Sequence, residues 1–325
     1  MPQSKALPKE RYNRQRRARS IRRSLAQITP ATSHPQLQCH LFSALPAEIR
    51  FLIFQHVLSQ VPDPSHTIDI HSISPLYRSS HTQHTTISTA LLRTCRLIYY
   101  EAHKIPLRSA THHFRYLGST SWLYTDDLWL HHMTSQRGAD VYHLHDNLVA
   151  LSASNFNKFL LPHLLWKRIS WTVCAYMWPP LLAGHHEIER LAETLENVVL
   201  PASCREVTLE METRQDLGGR WGELMEQAVK CRTLDLVRRD GEKLVFDDKL
   251  AVHYTWVGSG QARWGTSVDA REMRRIDYHT VRLCWRTGGS RRDYTSYDRL
   301  DCLRLEGCPE VKKIMPLQWD NKEFV

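Results

Sequence analysis

Nineteen histidines and eight cysteines are the side chains of this 325-residue chain best suited to chemistry, and their spacing decides whether they can perform it. The histidines include the pairs His112-His113, His131-His132 and His185-His186, the spaced pair His143 and His145, and His66, His71, His81 and His84 within one polar stretch. A zinc site needs convergent ligands, usually paired Cys or His on short turns at both sides of a loop. No Cys-x-x-Cys occurs, and the nearest cysteines, Cys302 and Cys308, enclose "LRLEG", which reads as a strand. The glycines of "GSGQARWG" (Gly258, Gly260, Gly265) lack the Gly-Lys-Ser/Thr ending of a phosphate loop and the helix start of a dinucleotide fingerprint, so they predict a turn between strands. Adjacent acids, Asp126-Asp127 and Asp247-Asp248, point opposite ways on a strand and about 100° apart on a helix, which makes poor acid/base pairs. No Gly-x-Ser-x-Gly elbow is present. The sequence therefore assigns no catalytic residue, no cofactor and no metal ligand, and the expectation is a protein that is not an enzyme.

With no reactive constellation to position, the elements must be building surfaces. "SALPAEIRFLIFQHVLSQ", Ser43 to Gln60, reads as a helix: Pro46 suits its first turn, where an N–H has no partner, and Glu48 complements the positive end of its dipole. Ile49, Leu52, Ile53 and Val57 share one face, while Phe51, Phe54 and Leu58 form a second apolar stripe. Arg50, Gln55 and His56 give it a wet edge. Such a helix is buried on two sides, either within its own domain or between that domain and a partner. "STALLRTCRLIYYEAHKI", residues 88–105, predicts a second helix with Thr89 as N-cap, one core face (Leu91, Leu92, Cys95, Ile98, Tyr99, Ala102), an outer side of Arg93, Arg96 and Glu101, and Pro106 as its stop.

Charge is unevenly placed. The net +9 sits almost wholly between Lys5 and Arg23, where nine basic residues face the single acid Glu10. Residues 1–36 have too little apolar surface to offset their ordering entropy and are expected to be disordered. Their arginines, Arg14, Arg16, Arg17, Arg19, Arg22 and Arg23, form a candidate nuclear localisation signal, with a solvated tail, nucleic-acid attraction or an organelle transit peptide as the other readings. The apolar runs are too short to cross a bilayer or carry charge, as "LLWKRISWTVCAYMWPPLLAG" does with Lys167 and Arg168, so no membrane partner is expected. Without a secretory h-region the cysteines are expected to stay reduced.

"LPAEIRFLIFQHVLS", then "LLRTCRLIYYEA", then "ATHHFRYL" together resemble the F-box-like module of filamentous-fungal proteins, over roughly residues 41–117. The resemblance implies docking on the small adaptor subunit of a Skp-cullin-F-box ubiquitin ligase through Leu45, Pro46, Ile49, Leu52 and Ile53, with the rest of the chain selecting a target. Location would be nuclear or cytoplasmic. Two departures stand out: a long Ser/Thr/His-rich insert at residues 59–88, in which "HTIDIHSI" alternates like a strand, and Tyr99 and Tyr100 where an ordinary F-box commonly carries tryptophan. Two alternatives remain: an F-box-like fold without adaptor binding, and a nuclear protein that reaches nucleic acid through its tail.

The expected organisation is a basic tail at residues 1–36, a module at 37–117 with the insert, and a recognition region at 118–325. The last alternates helices ("FNKFLLPHLLW", "HEIERLAETLENV", "GRWGELMEQAVKC") with strands centred near residues 171, 209, 235, 283 and 304, and "EKLVFDDKLAVHYTWVGSGQARWG" suggests a hairpin. The strand spacing is too uneven for regular leucine-rich repeats. The fold class expected is α+β or irregular α/β, with a degenerate leucine-rich-repeat-like sheet as one form. The ten tryptophans predict core packing, and "YTWVGSGQARW" offers a second reading as a binding tip.

Overall fold

The computed structural model describes residues 23–63, 85–114, 135–148, 151–173, 190–215, 220–259, 275–288 and 311–317, with a few single positions beside them. They divide into two compact units, Met1–Ser59 with Ile87–Pro106, and Gln60–Thr86 with Leu107–Val325. The second unit takes both the ends of the insert and the strand at 111–114, so the division falls at Pro106 rather than at residue 117. The reason is hydrogen bonding. Strand β1 (Val61–Pro62) ladders with β2 (Thr85–Thr86), and β3 (Thr111–Phe114) ladders with β4 (His143–Leu148). "HTIDIHSI" lies outside the described residues.

The first unit contains α1 (His40–Ser43), α2 (Ala47–Leu58), α3 (Arg96–Ala102) and the start of α4 (Ile105–Ser109). Helix α2 has Glu48 in its first turn as expected, with Pro46 one position earlier than expected, at the N-cap, and ends where Ser59 N–H and Oγ–H both donate to the Gln55 carbonyl. The expected single helix at 88–105 is broken. Leu91–Arg93 is a 3₁₀ turn, and Cys95 is extended (φ −153°, ψ 160°) so that its Sγ accepts from Ile98 N–H and caps α3. Pro106 does not stop a helix; it occupies the first turn of α4, where its missing N–H leaves nothing unpaired. Residues 23–36, expected to be disordered, carry defined local structure. Helical backbone spans 23–26, Thr29 and Thr32 cap each other reciprocally around Pro30–Thr32, and Arg96 Nη1 donates to the Thr32 carbonyl at 3.4 Å.

In the second unit nine of the described strands form one mixed sheet, and the fold class is α+β. β3, β4, β5 (Arg168–Val173) and β6 (Glu206–Arg214) run parallel in chain order; β6 then pairs antiparallel with β10 (Arg275–Thr287), which pairs with β9 (Val252–Ser259), and β9 with β11 (Val311–Pro316). Helices α5 (Ser135–Gly138), α6 (Ala153–Asn157) and α7 (Leu191–Glu196) lie between the parallel strands in sequence, and α8 (Arg220–Arg232) joins β6 to the strands that follow. The predicted hairpin is corrected: β8 (Lys243–Phe246) and β9 do not pair with each other, because both lie along β10, β8 at Trp285–Thr287 and β9 at Arg275–Arg282. β7 (Leu236–Val237) completes the sheet beside β8. On the same side of β10, beyond β9, β11 has a register irregularity between Val311 and Lys313 and ends in Pro316. The strand expected near residue 304 is outside the described residues.

Because strand side chains alternate, the registers assign each residue to a face. Ile169, Trp171 and Val173, Val207, Leu209 and Met211, and Val281, Leu283 and Trp285 share one face and enter a single core with Leu224, Ala228 and Cys231 of α8. Trp166, Trp171 and Trp285 are fully buried, as the packing reading of tryptophan expects. Trp256 is buried too, its ring stacked on Tyr278 and its Nε1–H donated to Glu212, so it is no exposed binding tip. His112 projects to the apolar face, edge-on to Trp166. Burial pushes its pKa down to about 4 despite a hydrogen bond to the Leu107 backbone. The other face of the sheet is largely polar, with Tyr254, Trp256 and Tyr278 forming a small buried cluster on it.

Candidate docking surface

Helix α2 presents its two apolar stripes differently. Phe54 and Leu58 are buried, while Phe51 of the same stripe is 38% exposed. Ile49, Leu52, Ile53 and Val57 are 43%, 55%, 38% and 42% exposed, so the stripe read at helical spacing is open to solvent. Of the five candidate contacts, Ile49, Leu52 and Ile53 lie within it, Pro46 is exposed at its N-terminal end, and Leu45 is half-buried. Val57 extends the row by one turn and was missed as a contact, although its spacing already placed it on that face.

What holds this face outward is the polar side of the same helix, and here the expected wet edge is corrected. Gln55 is buried, and Arg50 turns inward to grip Glu101 of α3. Its Nε and Nη2 donate to the two carboxylate oxygens at 3.0 and 2.8 Å, its Nη1 donates to the Leu45 carbonyl at 2.8 Å, and its guanidinium lies over the Phe42 ring. Hydrogen bonding to Glu101 raises the Arg50 pKa further, so the group remains a cation. A planar fork on a carboxylate fixes orientation as well as distance. One side chain thus fastens the helix start, the residue before Pro46 and helix α3 together. Glu101, expected on the outer side of its helix, is the partner.

No known protein family, curated protein or solved structure matches the chain.

Cys39, Cys95, Cys204, Cys231 and Cys284 are free thiols, and burial pushes the last three up to about 12, beyond nucleophilic use. Asp247 caps a 3₁₀ turn by accepting from Lys249 N–H, and Asp248 pairs with Arg232. No group of three or more metal-ligating side chains occurs among the described residues. His253 and His279 stack on each other beside Trp221. On the polar face His113, His145, Thr172, Glu210, Tyr254 and Arg282 form a continuous hydrogen-bonded row. Sequence reading noted His112-His113 and His143 with His145, yet it could not place His113 opposite His145, because strand register is a tertiary fact. Of the localisation candidates, Arg16, Arg17 and Arg23 are exposed, and Arg14, Arg19 and Arg22 lie outside the described residues. No helix among the described residues is long and apolar enough to cross a membrane.

Proposed function

We propose that this chain is a substrate receptor of a Skp-cullin-F-box ubiquitin ligase, with α2 as its docking helix. The observation that carries the reading is the open stripe Ile49, Leu52, Ile53 and Val57, in the segment whose motif resembles an F-box, on a helix whose opposite face is anchored. The occupant is the small adaptor subunit. An unidentified target engages the second unit, in the nucleus or the cytoplasm. The receptor itself does no chemistry: it holds a lysine-bearing target beside a charged conjugating enzyme, so it needs surfaces and no cofactor.

Full burial of a Leu, Ile or Val side chain contributes ~1.5–3 kcal/mol, so covering the exposed half of these four contributes roughly 3–6 kcal/mol. That is a substantial share of the ~8 kcal/mol behind a micromolar complex. The test is titration of purified adaptor subunit against the full chain and its Leu52→Asp, Ile53→Asp variant, with circular dichroism to verify folding. Binding by wild type and a loss of at least tenfold in the variant is expected; equal affinity, or no binding by wild type, rejects the proposal.

A further inference from the structure

The row of polar side chains on the sheet dictates where its hydrogens lie. Glu210 accepts from Arg282 Nε and Nη2 at 2.8 and 2.6 Å and from Tyr254 Oη at 3.0 Å, so it is a carboxylate. A carboxylate only accepts, so the Thr172 hydroxyl, 3.2 Å from Oε2, donates its one hydrogen there. The same Oγ1 then accepts from His145, whose Nε2 is 3.0 Å away and must carry a hydrogen. In a neutral imidazole the second nitrogen is then bare. Nδ1 of His145 therefore accepts, and Nδ1 of His113, 2.8 Å distant, donates.

The contact between the two rings has room for one hydrogen. A proton added to the His113 ring leaves the shared hydrogen in place and converts the bond to a stronger, charge-assisted one. A second has only Nδ1 of His145 left, and two N–H groups cannot face each other at 2.8 Å. The strand at stake is weakly held. Among the described residues β3 pairs only with β4, over Thr111 to Phe114, with Thr111 N–H donating to Gln60 Oε1 beside it.

Among the described side chains, the remaining charges on this face are His143 of β4, Arg168 of β5, Glu206, Glu210 and Glu212 of β6, Arg282 and Arg286 of β10, with Tyr254 of β9 as a further titratable group. Arg168 and Arg286 bind Glu206, and Arg282 binds Glu210. These ion pairs offset the charge of Glu206 and Glu210, and Glu212 accepts from Trp256 Nε1–H.

We propose that His113 and His145 form a proton-gated latch, closed with no proton or one added to the pair and open when both rings are charged, which releases edge strand β3 in acid. The test is hydrogen exchange of the full chain across pH 8 to 4, corrected for intrinsic rates, in a His112→Phe background that removes the neighbouring ring's own titration. Imidazole ¹⁵N NMR on the same protein counts the protons. At neutral pH the spectra should show Nδ1–H on His113 and Nε2–H on His145, and the pair should take up two protons in steps at least tenfold apart in affinity. Protection at residues 111–114 should fall tenfold or more at the second step while β10 stays protected. With His113→Phe, or with His145→Gln should the first variant fail to fold, the selective loss should vanish. The latch is refuted by the opposite tautomers, by simultaneous uptake of both protons, by β3 protection that tracks β10, or by a selective loss that survives in the folded variant.

Discussion

Replacing His112 by phenylalanine tests how strongly the sheet depends on a neutral ring. Burial against Trp166 depresses the His112 pKa from its ordinary 6.5 to about 4, so the folded chain refuses a proton that the unfolded chain accepts. The sign follows: this contribution to stability is fully present above pH 6.5, declines as pH falls, and is exhausted near pH 4. Each pKa unit corresponds to about 1.4 kcal/mol, so the loss approaches roughly 3 kcal/mol in strong acid and about 2 kcal/mol at pH 5. Phenylalanine keeps the edge-on ring and loses both the titration and the bond to the Leu107 backbone. Urea unfolding followed by tryptophan fluorescence at pH 7.5 and pH 5 gives the comparison. Wild type should lose about 2 kcal/mol more than His112→Phe between the two, a gap of ~4–8 °C in melting temperature. If both proteins weaken equally on acidification, His112 does not carry the effect and the reasoning from its burial fails.

Three further outcomes follow. Arg50→Met should destabilise the first unit by ~1–3 kcal/mol, and a double-mutant cycle with Glu101→Gln should show non-additive losses, since either change breaks the same fork. Glu210→Gln should cost ~3 kcal/mol or more, measured by urea unfolding, because it leaves Arg282 mostly enclosed without its counter-charge. Iodoacetamide at pH 8 should modify the half-buried Cys39 and Cys95 in the native protein, with Cys204, Cys231 and Cys284 reacting only after denaturation, as peptide mass spectrometry would reveal.

Where local signals and tertiary packing agreed, the sequence was readable. Pro46 and Glu48 announced α2, and α8, β5 and β6 fall within segments read as a helix and two strands. Cys95 hid the break between the 3₁₀ turn and α3, because a thiol is a weak cap that pattern reading takes for a core residue. β4 escaped altogether: "HLHDNL" is polar on one face and interrupted by Asp146 on the other, although all six residues are buried. The hairpin misreading has a similar origin, since two strands close in sequence can lie end to end along a third. For the docking surface, periodicity found both stripes of α2 and could not say which would be covered. Arg50 decides that, and its partner lies 51 residues away.

The rim of the sheet at β11 has its own bearing on how the chain behaves in company. An irregular step and a terminal proline, which has no hydrogen to offer, spoil that border as a template for a foreign strand. Concentrated solutions should thus resist fibrillar growth from this side, and encounters with other molecules are steered instead toward side-chain contacts of the kind a bare helix offers.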